Sequence, residues 1–247
     1  IPLKLQEFLP TLDIDFAKIV YIPPNIGFDG INMERNMDVL IDGGNRITYE
    51  SVEIKVKVKS KKIDYDNEAF PCLFCECKYS KRIIIYFHSF TDNLATVAKD
   101  LKDLSKKLQC HIIAPEYEGF GLCFYESVSQ IQLNKRSLRL FNYLTQVCSF
   151  DRESIIIMGN REGCDTALEL ACISEPHMVC LINMHLKKLD SFSEVVSSFK
   201  VTDEFDFKRM ENKAFKILIM HSFNNQTVTL QSSKLFEEFT LAMGVEC

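Results

Sequence analysis

The sequence predicts an α/β fold with a mostly parallel, doubly wound sheet. Apolar runs of strand length alternate with amphipathic runs of helix length along the 247 residues, and Gly or Pro separates many of them. Residues 82–87 (RIIIYF) and 154–158 (SIIIM) lack polar alternation, which is typical of strands covered on both faces. Because neighbouring parallel strands need a crossover connection, alternating strands and helices favour a parallel sheet.

Periodicity locates the individual elements. Strands are predicted at residues 82–87, 111–114, 154–158, 178–182 and 216–220. Helices are predicted at residues 91–108, 127–147, 164–173 and 231–242, where apolar residues recur at helical spacing. Thr91 or Asp92 is placed to cap the first helix. The segments on either side of Gly43 and Gly44 alternate apolar and polar residues, so they predict an antiparallel hairpin in the N-terminal part.

The length fits one α/β domain with an extension. Residues 1–30 are rich in Leu, Ile, Phe and Pro and are predicted to form an N-terminal arm, while residues 31–247 form the domain. Within the domain, residues 186–214 are charged and weakly periodic, which predicts a cap-like excursion. Phenylalanines among these charges favour docking onto the domain or another protein; they are Phe192, Phe199, Phe205 and Phe207.

Charge and hydropathy exclude several classes of protein. The net charge of -5 and the pI of about 5.6 give a nucleic-acid partner no attraction through the overall field. No apolar run approaches the roughly 18–20 residues that cross a bilayer, so no transmembrane segment is predicted. The first residues mix charges and prolines, which argues against a signal peptide.

Ten cysteines bear on the compartment and on metal binding. Several lie in apolar segments, where a free thiol acts as a small hydrophobe, as at Cys110, Cys172 and Cys180. This usage favours a reduced intracellular setting, cytoplasmic or associated with the cytoskeleton. A CxxC lies within Cys72, Cys75 and Cys77, but no matching pair follows. A loop before the next strand is therefore favoured over a zinc site, and no metal or other cofactor is expected.

The turn after residues 154–158 is the most informative point of the sequence. Gly159 and Gly163 lie four residues apart between a strand and a helix, which is the pattern of a nucleophile elbow. Glycines are required there because strand and helix approach closely around a strained central residue. That central residue is Ser, Cys or Asp in active enzymes of this layout, and here it is Arg161.

The order and spacing of several segments resemble the α/β-hydrolase family, and most closely the intracellular serine hydrolases that include protein depalmitoylases. The segments are KIVYIPP at 18–24, GGNRI at 43–47, IIIYFHSFTDNLA at 83–95, APEYEGFG at 114–121, SIIIMGNREG at 154–163 and KILIMHS at 216–222. The resemblance implies an α/β-hydrolase fold whose last strand and helix, with the His base, would lie beyond Cys247.

The resemblance also assigns the family's catalytic positions to residues of the wrong chemistry. The nucleophile falls on Arg161, whose guanidinium group cannot attack an acyl carbon at neutral pH. The acid falls on Asn225 or Asn224, and an amide cannot supply the charge that stabilises an imidazolium. The His-Gly turn of the oxyanion loop becomes His88 and Ser89, followed by a bulky Phe90.

These positions predict a catalytically inactive pseudoenzyme that serves as a structural or scaffolding subunit among other protein subunits. One alternative is a residual ester or thioester hydrolase that uses Cys164 or Cys123. Another is a sensor of acyl groups or anions that uses the old pocket, with Arg161 as its cation. Arg161 could instead pair with a carboxylate nearby; the candidates are Glu162, Asp165, Glu116 and Glu118.

Overall fold

A mixed seven-stranded sheet forms the centre of the structure, a computed structural model that describes residues 17–23, 69–124, 126, 129–184, 207–210, 213–225 and 230–242. The strands are β1 (Ala17–Ile22), β2 (Phe70–Cys75), β3 (Ile83–Phe87), β4 (His111–Pro115), β5 (Ile155–Asn160), β6 (Met178–Ile182) and β7 (Lys216–Met220). Their spatial order is β1-β2-β4-β3-β5-β6-β7. β1 and β2 run antiparallel, as do β2 and β4, and the remaining pairs are parallel. The prediction of a mostly parallel sheet with an antiparallel N-terminal part is confirmed for the fold class, and β1 and β2 are the strands that form this part.

Four helices of 12 to 15 residues lie in the described part of the chain: α1 (Leu94–Leu108), α2 (Gln130–Asn142), α3 (Gly163–Ser174) and α4 (Leu230–Ala242). A π-helical turn, Tyr143–Val147, continues α2, and short 3-10 turns occur at Gly121–Cys123, Arg152–Ser154 and Phe207–Met210. Apolar residues of α2, α3 and α4 pack with one face of the sheet, whereas those of α1 pack with the other. None of the described helices is both long enough and apolar enough to cross a bilayer.

The predicted strands and helices of the parallel part agree with the structure within three residues when the π-helical turn is counted with α2, but the cap of α1 is corrected. Asn93, and neither Thr91 nor Asp92, is the N-cap: its side chain accepts hydrogen bonds from the backbone N–H groups of Ala95 and Thr96. The Thr96 hydroxyl in turn accepts a bond from the Asn93 N–H, at 3.0 Å. This reciprocal pair satisfies three backbone donors at once, which explains why the helix begins later than predicted.

The segment around the CxxC is a strand, which corrects the prediction of a loop. Pro71, Cys72 and Cys75 all lie in β2, which pairs with both β1 and β4. Pro71 obscured the strand in the sequence, because proline is rare inside sheets. Cys72 and Cys75 are three residues apart on a strand and pack on opposite faces of the sheet, so they cannot share a metal ion. No cluster of three or more metal-ligating side chains occurs among the described residues.

The N-terminal predictions fall partly inside the described residues. Ala17–Ile22, assigned from sequence to the arm of residues 1–30, forms the edge strand β1. Residues 1–16 and 24–30 of that arm lie outside the described residues, as does the hairpin around Gly43 and Gly44. Most of the predicted excursion at residues 186–214 lies outside them too, including Phe192, Phe199 and Phe205.

Candidate functional site

The turn between β5 and α3 brings the backbone of three elements together. A Cβ atom on Gly159 would lie 2.6 Å from the Cα of Cys164, and one on Gly163 would lie 2.8 Å from the carbonyl oxygen of His88. Neither backbone can move without disturbing the sheet, so both positions require glycine. The turn therefore has the close strand–helix approach of a nucleophile elbow.

Arg161 lies at the apex of this turn in a strained conformation. Its φ of 50° is in the left-handed region, where an L-residue costs about 1–2 kcal/mol. The Arg161 N–H donates to the carbonyl oxygen of Ile182 at 2.9 Å, and its own carbonyl accepts from the N–H of Cys164 at 3.0 Å. These bonds fix the apex between β6 and α3, and the guanidinium group replaces the hydroxyl or thiol that acyl transfer would need.

The loop after β3 contacts the elbow through a carboxylate. The Ser89 hydroxyl donates to Oε2 of Glu162 at 2.8 Å, and the Phe90 N–H donates to the same oxygen at 3.2 Å. Glu162 follows Arg161 in sequence, so its side chain joins the elbow to the position of the oxyanion loop. Sequence reasoning missed this contact because the two segments are 73 residues apart.

His88 is held in the interior below that loop. Its Nδ1 lies 2.9 Å from the carbonyl oxygen of Ser89, and its Nε2 lies at ion-pair distance, 3.3 Å, from Oε1 of Glu116. The ring stacks on Tyr117 with centroids 3.8 Å apart, and the Tyr117 hydroxyl donates to the His88 carbonyl oxygen. Phe120 completes the aromatic group with an edge contact. Since His88 is fully buried, its ring cannot reach a substrate as a base.

Glu116, at the end of β4, is also fully engaged by the fold. Its Oε2 accepts from the N–H groups of Leu94 and Leu122, both at 3.3 Å, and its Oε1 accepts from the N–H of Tyr117. A Cβ on Gly121 would collide with this carboxylate, so the glycine makes room for it. Glu116 therefore ties the start of α1 to the loop after β4.

The predicted acid position follows β7. Asn225 closes a turn, with its N–H donating to the carbonyl oxygen of Ser222 at 3.0 Å, and Asn224 is exposed. In the same loop Nδ1 of His221 lies 2.7 Å from the hydroxyl of Ser233 on α4, a contact that the sequence did not predict. Neither asparagine carries a charge that could orient an imidazolium.

A cluster of buried charges lies behind the loop after β4. Nε of Arg136 lies 2.9 Å from Oε1 of Glu118, and its Nη2 lies 2.6 Å from Oε2 of Glu126. Arg136 and Arg139 both lie over the ring of Phe70. Burial raises the pKa of Glu118 to about 7, although Arg136 opposes that shift. The sequence contains one indication of this cluster: Arg136 falls on the apolar stripe of α2, between positions 133 and 140.

Neither cysteine that was considered as a substitute nucleophile is activated. Cys164 and Cys123 are buried, and burial is the main cause that raises the pKa of both thiols. The Cys164 thiol donates to the carbonyl oxygen of Ile182 at 3.6 Å. Both thiols are therefore in the inert, protonated form at neutral pH.

The expected pairing of Arg161 is not seen among the described residues. Glu162 bonds to Ser89 and Phe90, Glu116 lies against His88, and Glu118 pairs with Arg136. Across the described part of the chain, no carboxylate forms an ion pair with the Arg161 guanidinium. The pairing with Glu162, Glu116 or Glu118 is therefore wrong, because each carboxylate has another partner.

Comparison with solved structures identifies the fold. Esterase 2 of Thermogutta terrifontis, solved with propionate bound, superposes with a TM-score of 0.55 at 15% identity, covering 76% of this chain and 78% of that one. The Francisella virulence factor BioJ superposes with a TM-score of 0.55 at 12% identity, covering 75% and 70%. The hormone-sensitive lipase homologue EstE7, from a metagenome library, gives 0.54 at 14% identity, covering 72% and 70%. The chain thus has the α/β-hydrolase fold predicted from its sequence.

Comparison of sequences adds one uncharacterised relative. Protein R595 of Acanthamoeba polyphaga mimivirus is 25% identical in an alignment of 182 residues, which covers 64% of this chain. The chain spans 61% of the length of that viral protein. No protein-family model matches the sequence.

Proposed function

We propose that this chain is a catalytically inactive member of the α/β-hydrolases, related to the intracellular serine hydrolases that include protein depalmitoylases. In this proposal it serves as an intracellular structural or scaffolding subunit of a larger protein assembly, and its contacts with other subunits replace catalysis as its role.

The proposal rests on Arg161. This residue lies at the left-handed apex of the turn, with φ 50°, between two glycines whose missing Cβ atoms permit the close approach of β5, α3 and β3. In an active serine hydrolase this apex presents the attacking hydroxyl. A guanidinium stays protonated and carries no nucleophilic lone pair at neutral pH. Loss of the nucleophile alone costs about 10⁶-fold in kcat in a serine protease.

Two further observations support inactivity. The acid position carries Asn225 and Asn224, which cannot stabilise an imidazolium by charge. The thiols of Cys164 and Cys123 are buried with raised pKa values, so they are poor substitutes for the missing nucleophile.

An assembly role is supported by apolar side chains at one edge of the sheet. β7 lies at one edge of the described sheet. α1 is the described helix on the face of the sheet that carries Leu218, and it packs over β2 and β4, near the opposite edge. Leu218 is 44% exposed, Met220 39% and the following Phe223 86%. Apolar side chains grouped at a strand edge are typical of surfaces that are covered by a further strand, which the family resemblance places beyond Cys247, or by another subunit.

Probe labelling tests the loss of catalysis. The purified chain is incubated with a fluorophosphonate probe and with p-nitrophenyl esters, and the Thermogutta esterase 2, solved phosphonylated by sarin, is the positive control. We expect no labelled residue and no ester cleavage above a buffer control. A labelled serine, or an acyl-probe adduct on Cys164 or Cys123, would overturn the proposal.

Footprinting tests the assembly role. Hydroxyl-radical oxidation of Met220 and Phe223 is compared between the isolated chain and the chain in complexes isolated from its native cell. Protection of both side chains in native complexes, with unchanged oxidation of exposed Tyr79, is expected. Equal oxidation in the two samples, together with monomeric size in cell extract, would contradict a scaffolding role.

A second candidate function is an anion or acyl sensor, favoured by the lack of an ion pair at Arg161 among the described residues. A sensor would show a rise in Tm with acyl or phosphorylated compounds. The Arg161→Ala variant should lose that rise, whereas Lys99→Ala, on the exposed side of α1, should keep it.

A further inference from the structure

The Glu162 carboxylate binds the loop that would supply an oxyanion-hole donor in an active enzyme of this fold. An oxyanion hole uses the N–H of the residue after the nucleophile and an N–H from the loop after β3. Here those positions are Glu162 and Phe90, and the Phe90 N–H donates to Oε2 of Glu162 at 3.2 Å. The donor of the loop is therefore already bonded to an anion supplied by the chain itself.

The hydroxyl of Ser89 is oriented to donate to that anion. Its oxygen accepts from the Thr91 N–H at 3.3 Å and lies 3.0 Å from the Thr91 hydroxyl. Its single proton is thereby directed to Oε2 of Glu162, at 2.8 Å. Ser89 is buried, so the surrounding fold fixes the position of this donor.

The geometry of the loop is fixed independently of Glu162. Gly163 lies against the carbonyl oxygens of Phe87 and His88, so the end of β3 is packed against the elbow by its backbone. The stacked rings of His88 and Tyr117 support the loop from below. The two donors are therefore expected to remain in place when the carboxylate is removed.

We propose that Ser89 and Phe90 form a carboxylate-binding cradle that the chain's own Glu162 fills. An external carboxylate binds to the same two donors only when the Glu162 side chain is absent or displaced. This inference goes beyond the proposed function, since it concerns which anion the loop binds and holds whether or not the chain cleaves esters.

Removal of the carboxylate tests the cradle directly. The variants are Glu162→Ala and Glu162→Gln, and Glu153→Ala is a matched control because Glu153 is exposed far from the loop. Amide hydrogen exchange and ¹⁵N–¹H shifts of Phe90 are measured with 0–200 mM sodium acetate and with sodium chloride at equal ionic strength. Circular dichroism establishes that each variant is folded.

We expect the Phe90 amide to exchange about tenfold faster in Glu162→Ala than in the original chain, since a hydrogen bond to a charged acceptor is lost. Acetate, but not chloride, should shift the Phe90 amide of this variant in a saturable way and restore its protection. The original chain and Glu153→Ala should show no such shift. Glu162→Gln should exchange at an intermediate rate, because its amide oxygen still accepts from both donors.

When Glu162→Ala folds, either of two results would overturn the cradle. One is unchanged exchange of Phe90 in both Glu162 variants. The other is a folded Glu162→Ala variant whose Phe90 amide does not respond to acetate, or responds equally to chloride. If Glu162→Ala does not fold, equal Phe90 exchange in Glu162→Gln and the original chain overturns the proposal by itself. These readouts do not depend on hydrolysis, so they separate this inference from the proposed loss of catalysis.

Discussion

Glu118 and Arg136 form an ion pair in the interior of the protein, with Oε1 of Glu118 2.9 Å from Nε of Arg136. Arg136 also pairs with Glu126, so one guanidinium serves two buried carboxylates. The pair joins the loop after β4 to helix α2, directly behind the candidate site. Burial disfavours the charged form of Glu118 more strongly than Arg136 favours it, so the arrangement is sensitive to pH.

The burial of Glu118 predicts a decline in stability between about pH 4.5 and pH 7. Burial raises the pKa of Glu118 from 4.5 to about 7, so the folded state holds more protons than the unfolded state in this range. Its contribution to the free energy of unfolding is complete below pH 4.5 and is lost as the pH rises through 7, by roughly 1–3 kcal/mol. Urea unfolding at pH 5 and pH 8 measures the difference.

The control for this prediction is a pair of Gln variants. Glu118→Gln should flatten the pH dependence, because it removes the titrating group. Glu175→Gln should leave it nearly unchanged, because Glu175 is exposed and Lys213 lowers its pKa. An equal pH slope in the original chain and Glu118→Gln would refute the assignment to Glu118.

Gly163→Ala should destabilise the fold by about 2–4 kcal/mol. The added Cβ would meet the carbonyl oxygens of Phe87 and His88, which belong to the backbone of the central strand and cannot move aside. The free energy of unfolding from urea titration gives the effect, with Lys99→Ala as an exposed control on α1. A loss below 0.5 kcal/mol, within the range of ordinary surface changes, would show that the close approach is wrong.

Substitution of Arg161 separates backbone strain from side-chain contacts. Asn tolerates the left-handed region better than most residues, so Arg161→Asn should be neutral or stabilising by about 0.5–1 kcal/mol. Arg161→Val should lose about 1–2 kcal/mol, because a β-branched residue is disfavoured at positive φ. Thermal unfolding of both variants is the measurement. A large destabilisation by Asn would mean that the guanidinium stabilises the fold.

Alkylation should distinguish the cysteines by burial. In the native protein, iodoacetamide should modify the partly exposed Cys77 and leave Cys123 and Cys164 unmodified over the same time. Burial both blocks access to these two thiols and raises their pKa values. Peptide mass spectrometry reports each site, and all three should react in guanidinium chloride. Native modification of Cys164 at the rate of Cys77 would reopen the possibility of cysteine catalysis.

The sequence was sufficient for the strands that consist of uninterrupted apolar runs. β6 and β7 coincide with their predicted bounds, because uninterrupted apolar runs leave no other structure plausible. The spacing of Gly159 and Gly163 likewise predicted a close turn. β2 was missed because the CxxC was weighed only as a zinc site or a loop, and the strand depends on pairing with both of its neighbours.

The side-chain contacts of the site could not be predicted in the same way. Glu162 was expected near Arg161, its neighbour in sequence, but it bonds to the loop after β3 instead. That outcome depends on the distance between the end of β3 and the start of α3, which only the folded backbone determines. The burial of Arg136 depends equally on Glu118 and Glu126, which lie on a different segment.

The bond between Glu162 and the Ser89–Phe90 loop has a consequence for any attempt to install ester hydrolysis in this fold. A serine introduced at position 161 would present its hydroxyl beside donors that are already bonded to a carboxylate, so an incoming acyl oxygen would find them occupied. Under the proposed lack of catalysis, an engineered esterase would therefore need changes at 162 and at the acid position of Asn225 in addition to the serine.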